Sequence, residues 1–262
     1  MAYQNIYISR QDDTVHLWDD ETGYRTFPYV KYAYRRSPGG KFLSIYGDEL
    51  TKTNDTDQPN LFESDVQPEL KILRDIYTDS DEPSTGHKVG VVDIEVSTEG
   101  GFPNILQGDK EITAISLYDA LIKSCYVFVL DKDNKIENHE RDGGYWCPTG
   151  FTPTDEDKVK LIIKSYDDEE NLLLAFLDKW QEIGFTIITG WNIDTFDMPY
   201  IYCRIKTKLG AKVAKFLSPI GACYINKQHE TLTIGGISVM DYIQLYKKFS
   251  GNINPKQEAT PI

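Results

Sequence analysis

Three acidic side chains stand where this sequence could do chemistry. Asp93 and Glu95 lie two positions apart in VVDIEV, a run whose Val and Ile content otherwise fits a buried strand. Successive strand side chains point to opposite faces, so the two carboxylates share one face, with Cα atoms about 6–7 Å apart. Like charges at that separation repel, and a hard divalent cation taking oxygen ligands is the natural neutraliser. Taken alone, D-x-E fits equally a sheet edge with a solvated acidic face. The third carboxylate, Asp197, falls at the mouth of an expected helix in TGWNIDTFDMPYIYCRIK, where an Asp stabilises as an N-cap by about 1 kcal/mol. Capping accounts for one Asp. It leaves unexplained the order Asn192, Phe196, Asp197, Tyr200 after a strand, about a hundred residues beyond the strand-borne pair.

The elements that must position these groups follow from periodicity and punctuation. Up to about residue 45, NIYIS, TVHLW, TFPYVKYAY and KFLSIY alternate with turn material such as DDETG and SPGG and predict a small antiparallel sheet. Leu70, Ile72, Leu73 and Ile76 supply one face of a helix that Pro68 restricts to the second half of its segment. Residues 78–88, TDSDEPSTGHK, combine acid, Pro, Ser and Gly as a linker does, and set the expected domains at 1–88 and 89–262. Beyond them KVGVVDIEV, ITAISLYD and CYVFVL predict three consecutive strands, followed by an irregular acidic and Gly-rich insertion through about residue 160. Asp168 to Ile183 fits an amphipathic helix with Leu172, Leu173, Leu174, Phe176, Leu177 and Trp180 inward, and FTIITGWN is a buried strand. Pro199 sits near the start of a helix that Gly210 ends, ACYINKQHETLTI patterns as a hairpin, and SVMDYIQLYKKFS passes from strand to helix near Asp241.

Composition bounds the function classes. With 262 residues, 40% hydrophobic and 12% aromatic, the chain has apolar material for one large or two ordinary domains and does not pattern as disordered. Cys125, Cys147, Cys203 and Cys223 show no CxxC spacing and lie far apart, which argues against a disulfide framework or zinc site. No stretch approaches the ~18 apolar residues of a membrane span, and the N-terminus lacks the apolar core of a secretory signal, so the expectation is a reducing, cytoplasmic protein with no membrane partner. The net charge of −13 opposes simple phosphate-driven nucleic-acid binding. One local run differs: Arg204, Lys206, Lys208, Lys212 and Lys215 stand without an intervening acid, and fit a phosphate-facing surface or a solvated helix face.

VVDIEV resembles the first exonuclease motif of the family B DNA polymerases, most closely those of T-even-type phages, and GWNIDTFDMPYIYCRIK resembles their second. GFP at 101–103 and GISVMDYIQLYKKFS at 236–250 extend the resemblance over much of residues 89–250, and more loosely into the N-terminal part. It implies an α/β (α+β) chain whose RNase H-like 3′–5′ exonuclease domain follows a small mixed, β-rich N-terminal domain and proofreads during DNA replication. It further implies that Asp93 and Glu95 bind two catalytic Mg²⁺ or Mn²⁺ ions, with Asp93 bridging, and that Asp197 holds the second ion directly or through water. Phe102 matches the aromatic position that packs on the terminal base, and Asn192, Phe196, Arg204 and Lys206 are the accompanying expected DNA contacts. The hairpin from Cys223 to Ile234 corresponds to an element that helps separate primer end from template, or is a plain surface hairpin.

The family's third motif, Y-x₃-D, does not follow Asp197. The one instance, Tyr77 to Asp81, lies in the expected linker on the wrong side of Asp93, and the polymerase palm is also absent. The expectation is therefore an exonuclease domain incomplete at its C-terminal end, inactive as an isolated chain. It would be completed by a second polypeptide carrying the rest of a split polymerase, or by the missing part of a fragment, acting on single-stranded or primer-template DNA in an infected host cell. A cut core should leave apolar surface around residues 237–249. The reading from another class is a non-catalytic module that binds nucleic acid or docks onto a replication protein. It would use the basic helix and the tyrosines Tyr29, Tyr32 and Tyr34, which either stack bases or pack across a sheet.

Overall fold

The computed structural model describes residues 2–145, 158–226 and 228–250. Cys147, the centre of the expected insertion and the last twelve residues lie outside the described residues. The chain divides into two compact units, Met1–Gly86 and His87–Ile262, with the boundary inside the stretch 78–88.

The first unit holds two small antiparallel sheets where one was expected. Strands β1 (Tyr3–Ser9), β2 (Thr14–Asp19) and β3 (Gly23–Pro28) form a meander, while β4 (Ala33–Arg36), β5 (Phe42–Leu43) and β6 (Glu49–Thr53) pair in the order β4-β6-β5. The run TFPYVKYAY breaks because Pro28 has no N–H to continue a ladder. Helix α1 (Pro68–Tyr77) begins at its proline, where the missing N–H costs nothing. Tyr32 and Tyr34 are buried and meet edge to face at 5.8 Å. The Tyr32 hydroxyl donates to Asp75 at 2.6 Å, and Arg74 donates to both tyrosines and forks onto Glu63. Two of the three tyrosines expected as base-stacking candidates are thus packing residues, held in a hydrogen-bonded core.

The second unit is built on a seven-stranded mixed sheet in the order β10-β11-β9-β8-β7-β12-β15. The central meander is β7 (Val89–Val96), β8 (Ile112–Asp119) and β9 (Ser124–Leu130), and β12 (Ile187–Gly190) and β15 (Ser238–Asp241) add parallel to β7 on its other side. The expected irregular insertion contains the strand β10 (His139–Tyr145), and an unexpected strand, β11 (Lys158–Tyr166), begins at its end and runs parallel to β9. Every residue of β11 pairs with β10 or β9, but its lysines interrupt the apolar run KVKLIIKSY, which hides it from a reading by hydropathy.

Helix α2 (Glu169–Ile183) packs Leu172, Leu173, Phe176, Leu177 and Trp180 into the core, as the spacing predicts, while Leu174 is exposed. Asp168 caps it by accepting from the Asn171 amide at 2.9 Å, and Gly184 ends it in the left-handed conformation at φ 66°. Helix α3 (Asp197–Lys208) buries every residue from Asp197 to Ile205. It is an interior helix, with the expected basic face confined to its last turn and beyond. The short helix α4 (Ala211–Ala214) follows α3, the hairpin forms from β13 (Cys223–Asn226) and β14 (Thr231–Ile234), and α5 (Tyr242–Phe249) follows β15 directly. No residue of α5 is buried, and Tyr242, Leu245, Tyr246 and Phe249 are exposed on it, whereas Ile237, at the start of the stretch expected to be uncovered, is buried. Among the described residues no helix is long and apolar enough to cross a membrane.

Candidate active site

Strand β7 buries Val92 and Ile94 and turns Asp93 and Glu95 to the exposed face, the alternation that the D-x-E spacing requires. The ladder between β12 and β7 stops at Thr189 and Val91, so the backbone of β7 beyond that point needs another partner on this side. Asp197 supplies it: its Oδ1 accepts from the Ile94 amide at 3.1 Å. The carboxylate of the second motif is thereby placed on the backbone between the two carboxylates of the first. N-capping does not explain Asp197, because it is the first helical residue and the cap position, Phe196, makes no side-chain cap bond.

The approach of these strands depends on Gly190. A Cβ there would meet the Val92 carbonyl oxygen at 2.6 Å, well inside van der Waals contact, so only glycine lets the end of β12 lie against β7. The next turn uses Asn192 at φ 61°, a left-handed conformation that Asn tolerates better than most residues. The Asn192 side-chain oxygen accepts from Thr195 Oγ1 at 2.7 Å, and the turn delivers the chain into α3.

Electrostatically the site lacks compensation. Asp197 is 4% exposed, and its carboxyl is pushed up to about 7 by burial, then by the negative charge of Asp93 and, more weakly, of Asp241. Loss of water raises the Asp93 carboxyl too. Among the described residues no basic side chain forms an ion pair with Asp93, Glu95 or Asp197. A buried carboxylate under the negative charge of a second, with no cation paired to either, is the donor chemistry of a hard divalent ion, so the residues fit the expected metal. The fit is in donor type. Among the described residues no three His, Cys, Asp or Glu side chains already stand as a metal-holding group.

The other expected site residues divide. Phe102 is 93% exposed in the loop after β7, free to stack on a ligand. Asn192 is exposed in the turn before α3, five residues from Asp197, whereas Phe196 is half-buried and stacks on Tyr200 at 5.9 Å. Arg204 is corrected: it is 6% exposed, donates Nε to Glu169 at 2.7 Å and Nη1 to the Gly108 carbonyl at 2.8 Å, and is buried with its charge paired inside rather than turned to a phosphate at the surface. Lys206 is exposed, but nine residues of helix after Asp197 put it about 13 Å along the axis and on the opposite side, away from the carboxylates.

Asp241 is the site residue that motif reading passed over. It pairs with Gly190 at the end of β15, is buried, and accepts from the amides of Asn192, Asp194 and Ile243 at 3.1, 3.4 and 2.9 Å. It both caps α5 and fixes the turn that leads to Asp197. Its negative charge, after burial, raises the Asp194 carboxyl. An Asp at a strand-to-helix junction two residues before a free helical amide is a capping signal, visible in SVMDYI.

The fold and site define an α/β domain whose carboxylates gather at the C-terminal ends of adjacent parallel strands, a position where open α/β sheets bind ligands. Residues 44–254 match the family model described as DNA polymerase family B, exonuclease domain, and the chain belongs to that family. It is 36% identical over 180 residues to the DNA-directed DNA polymerase of Escherichia phage RB69, covering 64% of this chain and 20% of that protein. It is 34% identical over 175 residues to the DNA-directed DNA polymerase of Enterobacteria phage T4, covering 62% and 19%. A DNA polymerase of Bombyx mori nuclear polyhedrosis virus is 29% identical over 110 residues. The matched stretch spans about a fifth of the curated phage relatives.

Proposed function

We propose that the second unit is the proofreading part of a phage family B DNA polymerase and hydrolyses DNA from the 3′ end. The observation that carries this reading is the Asp197–Ile94 hydrogen bond, which gathers Asp93, Glu95 and Asp197 around one stretch of strand. The strand order β9-β8-β7-β12-β15, an antiparallel meander with two parallel additions, supports an RNase H-like fold. Asp93, Glu95 and Asp197 would hold divalent ions, Mg²⁺ or Mn²⁺. When bound, such ions lower the pKa of an attacking water and stabilise charge on the phosphate and the leaving 3′ oxygen.

The chain's own contribution is placement. Burial of Asp197 among apolar residues keeps its carboxylate fixed and poorly hydrated, so that it favours a cation over water. Phe102 offers a ring to the terminal base, a sequence-tolerant contact because every base has a π-face. Asn192, exposed in the turn that leads into α3, is a further candidate DNA contact. The rest of the polymerase, on a second polypeptide or a longer chain, supplies the remaining Asp and the Tyr of a third motif, and the assembly works in the cytoplasm of an infected bacterium. The deciding experiment uses a 3′-labelled single-stranded oligonucleotide with Mg²⁺ or Mn²⁺, incubated with this chain alone and with the C-terminal part of a related phage polymerase added. Metal-dependent release of the 3′-terminal nucleotide as a nucleoside 5′-monophosphate only in the mixture supports the reading. No release in either, with the two parts shown to associate, contradicts it.

A further inference from the structure

Tyr200, Arg204 and Thr207 stand four and three residues apart on α3, a spacing that lines one face of a helix, and Asp197 precedes them on the same stripe. All three reach the same short piece of backbone. The Tyr200 hydroxyl accepts from the Lys110 amide and donates to the Lys110 carbonyl, both at 2.8 Å. Arg204 donates to the Gly108 carbonyl at 2.8 Å and Thr207 Oγ1 to the Gln107 carbonyl at 3.0 Å. Gly108, at φ 55°, lies so close that a Cβ would meet the Arg204 backbone nitrogen at 2.6 Å. Glu169 completes the arrangement, accepting from Arg204 and from the Ile112 amide at 2.7 Å.

Residues 107–110 end the loop that begins after β7 and displays Phe102. Its near end is fixed by β7 itself, and Lys110 Nζ donates back to the Glu99 carbonyl at 2.8 Å, tying the two limbs together. One helix face therefore fixes a carboxylate of the site at its first turn and the loop with the exposed aromatic ring at its second and third.

We propose that Tyr200, Arg204 and Thr207 are positioning residues that lock the Phe102 loop to α3, so that the ring receiving the terminal base is held in register with the Asp197 carboxylate. This rests on the exonuclease reading of Phe102 and Asp197. The three side chains touch neither DNA nor the reacting atoms. A loose loop would offer the ring in many orientations, and base stacking would have to bear the entropy of ordering it.

The test uses the full chain, with Tyr200→Phe and, should that variant fold poorly, the exposed Thr207→Val. Two readouts are taken. Amide hydrogen exchange at Gly108 and Lys110 should accelerate about tenfold in either variant, the effect of losing one or two hydrogen bonds, while the Ile94 amide keeps its protection. Binding of a single-stranded oligonucleotide with 2-aminopurine at its 3′ end, followed by fluorescence, should weaken about tenfold in Phe102→Ala and several-fold in Tyr200→Phe, with no further loss in the double variant. Unchanged exchange at Gly108 and Lys110 overturns the lock, and so does a Tyr200→Phe effect that adds fully to that of Phe102→Ala. Equal binding by wild type and Phe102→Ala, with accelerated exchange in the α3 variants, overturns instead the assignment of Phe102 to the terminal base.

Discussion

The carboxylate of Asp197 and the amide of Ile94 are joined at 3.1 Å, and through that bond a helix and a strand 103 residues apart in sequence share one acidic site. The bond holds whether the carboxyl is neutral or ionised, since an acceptor oxygen is present in both forms. What changes with protonation is the cost of a buried charge.

Stability should therefore depend on pH through Asp197. Its carboxyl is raised from 3.8 to about 7 by burial and by Asp93, so the folded state prefers the neutral form. The resulting stabilisation is full below about pH 4 and is lost as pH rises through about 7. Asp197→Asn keeps the acceptor for Ile94 and removes the charge. Thermal melts in chelator should show the variant more stable than wild type at pH 8, by at most about 4 kcal/mol, with the gain vanishing at pH 4.

Gly190→Ala should damage the site from a distance. The added Cβ meets the Val92 carbonyl oxygen at 2.6 Å, and the backbone of β12 or β7 must move. A cost of about 1–3 kcal/mol follows from overpacking, read as a lower denaturant midpoint, together with loss of protection at the Ile94 amide.

The buried pair Arg204 and Glu169 makes a non-additive prediction. Arg204→Met leaves Glu169 buried without its cation and should cost about 3–5 kcal/mol. Adding Glu169→Leu should recover part of that loss, the remainder being the unpaired Ile112 amide and Gly108 carbonyl. Urea denaturation of both single variants and the double closes the cycle, and simple additivity would show the pair to be uncoupled.

Phe102→Ala should be silent in stability. A ring that is 93% exposed contributes little to the core, so the melting midpoint should stay within about 0.5 kcal/mol of wild type, while affinity for a single-stranded 3′ end falls.

Local signals in the sequence located much of this architecture. Alternation in VVDIEV gives the face shared by Asp93 and Glu95, and the apolar spacing of Leu172, Leu173, Phe176, Leu177 and Trp180 gives the buried side of α2. What the sequence hid was tertiary. Lysines in KVKLIIKSY mask a strand that is recognised by its pairing with β9. The run of cations from Arg204 suggests a uniform basic face, yet Arg204 points inward because Glu169, distant in sequence, is waiting there. Asp241 looks like an ordinary cap until its three amide donors show that it also shapes the turn carrying Asn192. Tyr32 and Tyr34 share their composition with base-stacking tyrosines, and only burial separates the two roles.

The central claim is that Asp93, Glu95 and Asp197 form a cation site, and a Mn²⁺ titration followed by electron paramagnetic resonance tests it on this chain without requiring the rest of a polymerase. At pH 8, above the value of about 7 to which the Asp197 carboxyl is raised, the wild type should bind Mn²⁺ weakly, because a hard ion takes about six or more oxygen ligands and three carboxylates leave most of them to water. Asp93→Ala should abolish that binding, and Asp93→Ala/Glu95→Ala should melt no lower than wild type in chelator, since it removes charges that repel. Mn²⁺ binding that is tight and unchanged by Asp93→Ala would contradict the account.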